Sequence, residues 1–599
     1  MAIIELLKTP ADLKKLTIAE LEVLSEEIRK IIIDTVQKNG GHLSSNLGVV
    51  ETTLALHYVF DLPTDKIIFD VGHQCYAHKI ITGRCDNFSS LRQEDGVSGF
   101  PDEDESVYDT FTSGHAGNAI AGGLGMCYSR DLKGENYKVI SLVGDASLMN
   151  GLSLEAMNVS SEKPKNFIVV LNDNGMSITK NENGLYKSII NSTTKRPYLA
   201  IKGGAKKLLG KTAFGRFLSR LKDKLKSIFN PHIYIDEMGF KYVGTIDGHN
   251  LKELVKTFKR VKEYGLPTFV HISTLKGKGH GDAEKRSDIY HGIGANLQVS
   301  ENSFAESLGK KLCDLAGEMD NLVAITAGMT YGTGLEDFAK TYPNRFVDVG
   351  IAEEYAVTLS AGMATAGVKP FVCIYSTFLQ RAYDQIVHDV CIKNLPVVFC
   401  IDRAGVVGSD GKTHQGVFDL SYLRHIPNLT VLCPKDTAEL SSMIDYAVKL
   451  NSPVAIRYPN GVAPVGEEKS FDGKWEVLSN GTDNITVLAV GHRAISVAND
   501  LKNYGVNATV INARSVKPLD EDILLSIKNS FIVTIEDNAL AGGFGSAVME
   551  YYSQKMQTVK VLPFGMADKF IAHATVSRQF EENGLTAKNI ADKIKGLTD

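Results

Sequence analysis

The chain has few cysteines, almost no net charge and no long hydrophobic run. Its 8 cysteines, among 599 residues, are scattered and form no C-x-x-C pair, which argues against a zinc site, a redox motif or a disulfide framework. The 65 basic and 70 acidic residues nearly balance, so no overall field favours nucleic acid or a membrane surface. No apolar run is long enough to span a bilayer. We therefore expect a cytoplasmic protein, without nucleic-acid or membrane partners, whose function lies in local sites.

The length of the chain and the rhythm of its strands predict three α/β domains. A single hydrophobic core rarely exceeds about 250 to 300 residues, and this chain has 599. Short apolar strands alternate with helical stretches in three series, over residues 1–300, 301–465 and 480–599. This alternation is typical of doubly wound α/β folds. A linker rich in glycine, proline and charge, residues 461–483, precedes the third series.

One basic segment interrupts this rhythm. Residues 187–230 carry 12 basic residues and a single acid, Asp223, with apolar residues at a spacing that gives one helical stripe. A solvated basic helix on the surface, a mobile lid over an anionic ligand and a membrane-surface helix all fit this pattern. We favour the first two and expect the segment to be flexible without ligand.

Polar residues follow two predicted strands of the first domain. Asp145 comes shortly after the apolar run 139–143, and Asn174 shortly after the run 167–171. The carboxyl ends of parallel strands open onto the ligand crevice of α/β folds, and hard oxygen donors suit a Mg²⁺ ion that holds a diphosphate. The helix between these strands offers its N-terminus to the phosphates. Taken alone, both segments are more simply interpreted as ordinary polar turns.

Three histidines lie in glycine-rich turns: His42, His73 and His115. Glycine lets the backbone approach a ligand closely, so a site that handles protons is favoured over three structural histidines. In the second domain Glu353 and Glu354 begin a predicted helix. On this evidence alone, two acids in a first turn could simply complement the helix dipole.

With these residues in view, the chain resembles thiamine diphosphate enzymes of the transketolase type, and most closely the family of 1-deoxy-D-xylulose-5-phosphate synthases. The resemblance covers nearly the whole chain. It rests on the motifs GHLSSNLG (41–48), DVGHQ (70–74), HKIITGR (78–84), LNDNGMSI (171–178), IYSTFLQRAYDQ (374–385) and IDRAGVVGSDGKTHQG (401–416). The last two look like signatures of this synthase family.

The resemblance implies a site for thiamine diphosphate and Mg²⁺. Asp145, Asn174 and the backbone carbonyl of Met176 would bind the metal that holds the diphosphate. Glu353 would hydrogen-bond the aminopyrimidine ring and assist formation of the cofactor's ylide. The other residues implied to bind the cofactor are His73, Gly114, His115, Ala116, Ala146, Ser147, His280 and Phe378.

By the same resemblance the protein is a transferase that condenses pyruvate with glyceraldehyde 3-phosphate to give CO₂ and 1-deoxy-D-xylulose 5-phosphate, a precursor of isoprenoids, thiamine and pyridoxal. The cofactor would supply the difficult chemistry. Proton transfer would involve His42, His73, His291 and His414. The acceptor would be held by Tyr375, Arg381, Arg403, Asp410, His414 and Arg457. Arginine suits a phosphate because its fork binds two oxygens at once. The resemblance also implies a homodimer.

Four positions depart from the pattern of the family. Ala146 replaces a glycine beside the diphosphate, which is tolerated if its φ angle is negative. Ala116 stands where the family has a hydroxyl side chain, Tyr355 where a histidine is common, and His280 where tyrosine is frequent. Two alternatives therefore stay open: a transketolase-like transfer of two carbons from a ketose phosphate, and a non-catalytic relative that binds the cofactor.

Overall fold

The computed structural model describes residues 2–159, 163–175, 233–295 and 302–598. The chain divides into two compact units, Met1–Leu91 with Gly96–Leu297, and Arg92–Asp95 with Gln298–Asp599. The predicted basic segment 187–230 lies outside the described residues. Within the described ranges, no helix combines the length and the apolar character needed to cross a membrane.

In its described residues, the first unit is built on one parallel sheet of five strands. Their bounds are β1 Lys66–Phe69, β2 Val139–Gly144, β3 Phe167–Asp173, β4 Lys241–Asp247 and β5 Thr268–Ser273, and their order is β1-β2-β3-β5-β4. β3 lies at the centre and is buried at every residue, because a central parallel strand is covered on both faces. The sequence does not predict β4. This edge strand buries only Ile246 and so lacks an apolar run.

Helices connect the strands of the first unit. They are α1 Pro10–Leu13, α2 Ile18–Asn39, α3 Ser44–Leu47, α4 Val50–Val59, α5 Tyr76–Lys79, α6 Asn118–Leu132, α7 Asp145–Leu148, α8 Gly151–Asn158, α9 Ile233–Glu237, α10 Leu251–Tyr264 and α11 Gly281–Lys285. α10 is amphipathic: it begins where the Asn250 side chain accepts from the backbone N–H of Glu253, and it ends at Gly265, whose φ is 61°. Capping at one end and a left-handed glycine at the other are what limit such a helix.

The described part of the second unit contains twelve strands in two sheets. The strands are β6 Leu322–Thr326, β7 Phe346–Asp348, β8 Lys369–Tyr375, β9 Val398–Asp402, β10 Thr430–Leu432, β11 Val454–Arg457, β12 Glu476–Ser479, β13 Ile485–Val490, β14 Thr509–Asn512, β15 Ser515–Lys517, β16 Phe531–Ala539 and β17 Val561–Met566. The larger sheet has the order β15-β10-β11-β9-β8-β6-β7 and the smaller one the order β12-β14-β13-β16-β17. Both are parallel except for the edge strands β15 and β12, so the doubly wound α/β class is confirmed.

The helices of the second unit lie between these strands. They are α12 Phe304–Glu318, α13 Glu336–Thr341, α14 Glu353–Thr365, α15 Ser376–Leu379, α16 Tyr383–Gln385, α17 Asp419–Leu423, α18 Thr437–Lys449, α19 Gly491–Asp500, α20 Glu521–Ser526, α21 Phe544–Gln554, α22 Val576–Glu582 and α23 Ala587–Thr598.

The two edge strands change the prediction for residues 461–483. That segment is not a linker throughout, because it contains β12, which pairs antiparallel with β14. β15 comes from the third series yet joins the larger sheet beside β10. The larger sheet therefore contains strands from both the second and the third series. The domain limits at 300, 465 and 480 stay predictions.

Candidate active site

The first candidate site lies at the carboxyl ends of β2 and β3. Gly144 at the end of β2 pairs with Asn172 of β3 in parallel register, so Asp145 and Asn174 follow neighbouring strands. The Asp145 side chain is 2% exposed, and its Oδ1 accepts a hydrogen bond of 2.8 Å from the Ala146 N–H. Metal binding by these two residues stays a prediction, and Met176 lies outside the described residues.

The departure at Ala146 is accommodated by the local backbone. Ala146 lies inside α7, the short helix that Asp145 begins. A helical residue has a negative φ, which an alanine adopts without strain. The neighbouring Ser147, also predicted to line the cofactor pocket, is buried in the same turn.

Lys276 is a further candidate for this site and is not among the residues predicted from the sequence. Its side chain is 5% exposed; burial lowers its pKa to about 8, and the charges of Asp145 and Asp288 act in the opposite direction. A buried cation beside an acid at the strand ends suits a metal-bound phosphate. The sequence pattern that could have indicated this lysine is the run Lys276-Gly277-Lys278-Gly279, just after β5. Gly277 has a φ of 84° and a Cβ there would meet the backbone of Ala283, so this turn requires glycine.

Three of the predicted proton-handling histidines cluster in the first unit. The ring centroids of His42, His73 and His291 lie 5.3 to 5.6 Å apart. A backbone bridge between Gly41 and Ile293 places His291 beside His42. Sequence spacing alone does not reveal this grouping, because His291 is far along the chain from the other two.

Burial keeps two of these imidazoles neutral. It lowers the pKa of His73 and of His291 well below the usual value, with a smaller contribution from neighbouring positive charges. The Nδ1 atoms of His73 and His291 are buried and have no hydrogen-bond partner among the described residues. A buried, unpartnered ring nitrogen is costly unless a ligand satisfies it. This observation fits a site that binds a polar group.

The turn at residues 114–117 is held by Asp70. Its carboxylate accepts hydrogen bonds from the backbone N–H groups of Gly117 at 2.9 Å and Ala119 at 3.0 Å, at the start of α6. The predicted cofactor residues Gly114, His115 and Ala116 lie directly before this anchored point. The methyl group of Ala116 is buried. Contact of this turn with the cofactor stays a prediction.

His280, a predicted cofactor residue, has a local structural role. Its Nδ1 accepts from the Ala283 N–H at 3.2 Å and so caps α11. Its Nε2 lies 3.4 Å from Nε2 of Gln37, and its ring centroid lies 5.4 Å from that of Tyr290. Contact of this imidazole with the cofactor stays a prediction.

The second unit carries Glu353 at the start of α14. The side chain is 3% exposed. Burial raises its pKa to about 7, against the opposing charge of Arg381. Its Oε2 is buried with no hydrogen-bond partner among the residues the structure describes. A carboxyl of this kind can hold or release a proton near neutral pH, and it fits a hydrogen bond to a polar ring. Tyr355, two residues on, is 56% exposed.

The predicted acceptor residues of the second unit form an aromatic and charged cluster. The guanidinium carbon of Arg403 lies 3.7 Å from the ring centroid of Tyr375. Phe378 stacks on Tyr375 with centroids 5.8 Å apart and meets the His414 ring edge-on at 5.6 Å. Burial raises the pKa of Tyr375 to about 12 and lowers that of His414. The cluster thus presents a cation beside a neutral imidazole.

Arg92 is a second residue that the sequence reasoning missed. Its Nη1 lies 2.8 Å from Oδ1 of Asp410, and its Nη2 donates to the Ser409 hydroxyl at 2.9 Å. Arg92 belongs to the short segment Arg92–Asp95, which groups with the second unit although the chain on either side of it belongs to the first. Nothing in the local sequence indicates this.

Arg457 makes internal contacts. Its Nε lies 2.9 Å from Oδ1 of Asp419, and its Nη2 donates to the backbone carbonyls of Asp537 at 3.0 Å and Gly416 at 3.5 Å. The guanidinium is buried among these partners. Its predicted contact with the acceptor therefore gains no support from the geometry.

Three family models match this chain and together cover most of its length. Residues 4–274 match the family model described as 1-deoxy-D-xylulose-5-phosphate synthase. Residues 300–464 match the pyrimidine-binding domain of transketolase, and residues 473–590 match its C-terminal domain.

Curated relatives carry the name of the same enzyme. The 1-deoxy-D-xylulose-5-phosphate synthase of Caldanaerobacter subterraneus subsp. tengcongensis is 47% identical over 99% of this chain and 98% of that protein. The synthase of Carboxydothermus hydrogenoformans is 46% identical over 99% of both chains.

A solved structure described as a split-gene transketolase, an inactive β4 tetramer, is 31% identical over 49% of this chain and 98% of that chain, with a TM-score of 0.45.

The chain therefore belongs to the 1-deoxy-D-xylulose-5-phosphate synthase family, transketolase-type transferases that use thiamine diphosphate with a divalent metal ion.

Proposed function

We propose that this chain condenses pyruvate with glyceraldehyde 3-phosphate, with loss of CO₂, to give 1-deoxy-D-xylulose 5-phosphate. The observation that carries the proposal is Glu353, a buried carboxyl with a pKa of about 7 and an unpartnered Oε2 among the described residues. Similarity over 99% of the chain to enzymes named for this reaction supports it. We further propose that the enzyme is cytoplasmic and acts as a homodimer.

The first unit would hold the diphosphate and its metal. Asp145 and Asn174 supply oxygen donors of the kind that Mg²⁺ prefers, with Met176 as a further ligand. Lys276 adds a positive charge beside Asp145, which would attract the phosphate oxygens that the metal leaves uncovered. When bound, thiamine diphosphate supplies a nucleophilic carbon and an electron sink for decarboxylation.

Glu353 would exchange a proton with the aminopyrimidine ring. A pKa of about 7 leaves both protonation states populated near neutral pH. Its buried Oε2 has no hydrogen-bond partner among the described residues, so no described protein group would compete with the ring for this oxygen. Its proposed role is to assist activation of the cofactor.

The histidine cluster would serve the donor substrate. His73 and His291 are neutral, so each can donate from one ring nitrogen and accept at the other. Together with His42 they would hydrogen-bond the polar groups of pyruvate and move protons to or from the reacting oxygen.

The second unit would bind the aldehyde acceptor. Arg403 and Arg92 offer guanidinium groups suited to a phosphate. His414 is neutral and lies in the same segment as Asp410, so these two side chains would contact the polar end of the acceptor. Arg381 and Tyr375 complete the proposed set.

The test measures CO₂ release and identifies the product when the purified chain, thiamine diphosphate and Mg²⁺ are mixed with pyruvate and glyceraldehyde 3-phosphate, with xylulose 5-phosphate as a competing donor. We expect 1-deoxy-D-xylulose 5-phosphate. Transfer of two carbons from the ketose phosphate while pyruvate stays intact would replace the proposal with a transketolase-like activity. Binding of the cofactor without reaction of either donor would indicate a non-catalytic relative.

A further inference from the structure

Residues 403–416, here called the acceptor loop, carry residues predicted to bind the acceptor. Their backbone is held by the third series, residues 480–599, which contains no predicted site residue. The loop follows β9 and contains Asp410 and His414. Its ends meet through two backbone hydrogen bonds of 2.8 Å between Gly405 and Gly416. Between these ends, its backbone is bound by side chains from the third series of strands and helices, at two points.

The first point is Gln579 on α22. Its Oε1 accepts from the Gly408 N–H at 3.0 Å, and its Nε2 donates to the Gly408 carbonyl at 3.0 Å. The same Nε2 donates to the Ala572 carbonyl at 2.8 Å. The side chain is 0% exposed. One amide thus satisfies both backbone groups of Gly408, as a neighbouring strand would.

The second point is Asp537 at β16. Its Oδ1 accepts from the Val406 N–H at 3.1 Å, while its Oδ2 lies 3.0 Å from Nη1 of Arg493. The same guanidinium donates to the Val406 carbonyl at 2.6 Å. Gly405 has a φ of 78°, and a Cβ there would meet the Asp537 carboxylate. The close approach of the loop to this carboxylate therefore requires glycine.

Apolar packing reinforces the two points. Val406 and Val417, at either end of the loop, pack in a buried cluster with Met566, Ile571 and Phe580. In addition, the Gln415 side chain accepts from the Val407 N–H at 2.8 Å and donates to the Ile571 carbonyl at 3.2 Å. Polar and apolar contacts thus hold the same stretch of backbone.

We propose that Gln579 is a positioning residue for the aldehyde acceptor. Its buried side chain acts through Gly408, two residues before Asp410, by setting the shape of the loop that presents Asp410 and His414. The third series of the fold thereby contributes to acceptor specificity. The inference rests on the proposed function for its kinetic consequence, and on the geometry alone for the loop itself.

The kinetic test uses Gln579→Glu in the full chain with thiamine diphosphate and Mg²⁺. The substitution keeps the size of the side chain but removes both N–H donors and sets an oxygen against the Gly408 carbonyl. We expect the KM for glyceraldehyde 3-phosphate to rise about tenfold, as for the loss of one well-formed hydrogen bond, with the KM for pyruvate unchanged. Ser577→Ala, an exposed position on the same helix, is the matched control.

A second control separates positioning from stability. Ile590→Val removes a buried methyl group from α23, in a core cluster that does not include the acceptor loop. If Gln579 acted only through stability, both variants would lower the melting temperature and leave the ratio of the two KM values unchanged. That result would overturn the proposal.

Hydrogen exchange of peptides from 403–416 tests the loop without any reaction. We expect faster exchange in Gln579→Glu and no change in Ser577→Ala or Ile590→Val. Unchanged exchange in Gln579→Glu would overturn the proposal. If wild-type protein does not consume pyruvate, the proposed function fails and the exchange result alone decides the positioning role. Should Gln579→Glu not fold, Arg493→Gln, which removes the ion pair with Asp537, applies the same tests through Val406.

Discussion

Glu353 and Glu536 are both buried glutamates of the second unit, yet their surroundings differ. Burial raises the pKa of each to about 7. Glu536 accepts hydrogen bonds from the Phe544 and Gly545 N–H groups, at 2.7 and 2.8 Å, and so caps α21. Glu353 leaves Oε2 unpartnered among the described residues. A shifted pKa alone therefore does not distinguish the two carboxyls, whereas their hydrogen-bonding partners do; the unpartnered oxygen supports the role proposed for Glu353.

The largest expected effect is the loss of activity in Glu353→Gln. The amide keeps the volume but cannot take up or release a proton, so we expect the rate of CO₂ release to fall by about 10³-fold, the range for a lost general acid–base group. The melting temperature should not fall. Initial rates with saturating cofactor measure the effect. A rate within a few-fold of wild type would remove Glu353 from the mechanism.

The pH dependence of stability gives the next largest effect. Glu353 has a folded pKa of about 7 against an ordinary value of 4.5, so between these values the folded chain binds more protons than the unfolded chain. The free energy of unfolding must then decrease as pH rises through this window, by at most about 3 kcal/mol from this one group. We expect a shallower decrease in Glu353→Gln, measured by urea unfolding across the window. Parallel wild-type and variant curves would contradict the raised pKa.

Glu536→Ala should damage stability and spare the chemistry. It leaves the Phe544 and Gly545 N–H groups buried without their acceptor, which costs about 2 kcal/mol. We expect a lower urea midpoint and an unchanged rate per folded molecule. A loss of activity as large as that of Glu353→Gln would erase the distinction between the two carboxyls.

The smallest effect is expected for Glu354→Gln, beside the proposed proton-handling residue. Glu354 shares the first turn of α14 with Glu353 but is only half-buried. Its contribution to the helix dipole is about 0.5 kcal/mol, and activity should stay near the wild-type value. An effect close to that of Glu353→Gln would indicate that the first turn as a whole matters, and not one buried carboxyl.

The sequence predicts the strands that are buried on both faces of their sheet. β3 and β13 are continuous apolar runs and are recognisable as strands without a structure. β12 and β15 are short edge strands of three or four residues. Their position depends on partners far along the chain, so local pattern does not reveal them.

The same distinction applies to the candidate site. That Asp145 and Asn174 follow neighbouring strand ends is predictable from the sequence, since strand ends in α/β folds open onto the ligand crevice; metal binding by them stays a prediction. Lys276 and Arg92 acquire their surroundings only when distant segments meet. The sequence does not reveal that Arg457 pairs with Asp419, and its contact with the acceptor stays a prediction. The sequence predicts that Ala146 is tolerated if its φ is negative. Ala146 lies in helix α7, where φ is negative.

The most direct test is difference infrared spectroscopy of the carboxyl groups, with and without thiamine diphosphate and Mg²⁺. We predict that the carboxyls of Glu353 and Glu536 titrate near the values of about 7, the first signal being lost in Glu353→Gln and the second in Glu536→Gln. Only the Glu353 signal should change when the cofactor binds. A Glu353 signal that ignores the cofactor, or an equal response from Glu536, would contradict the account.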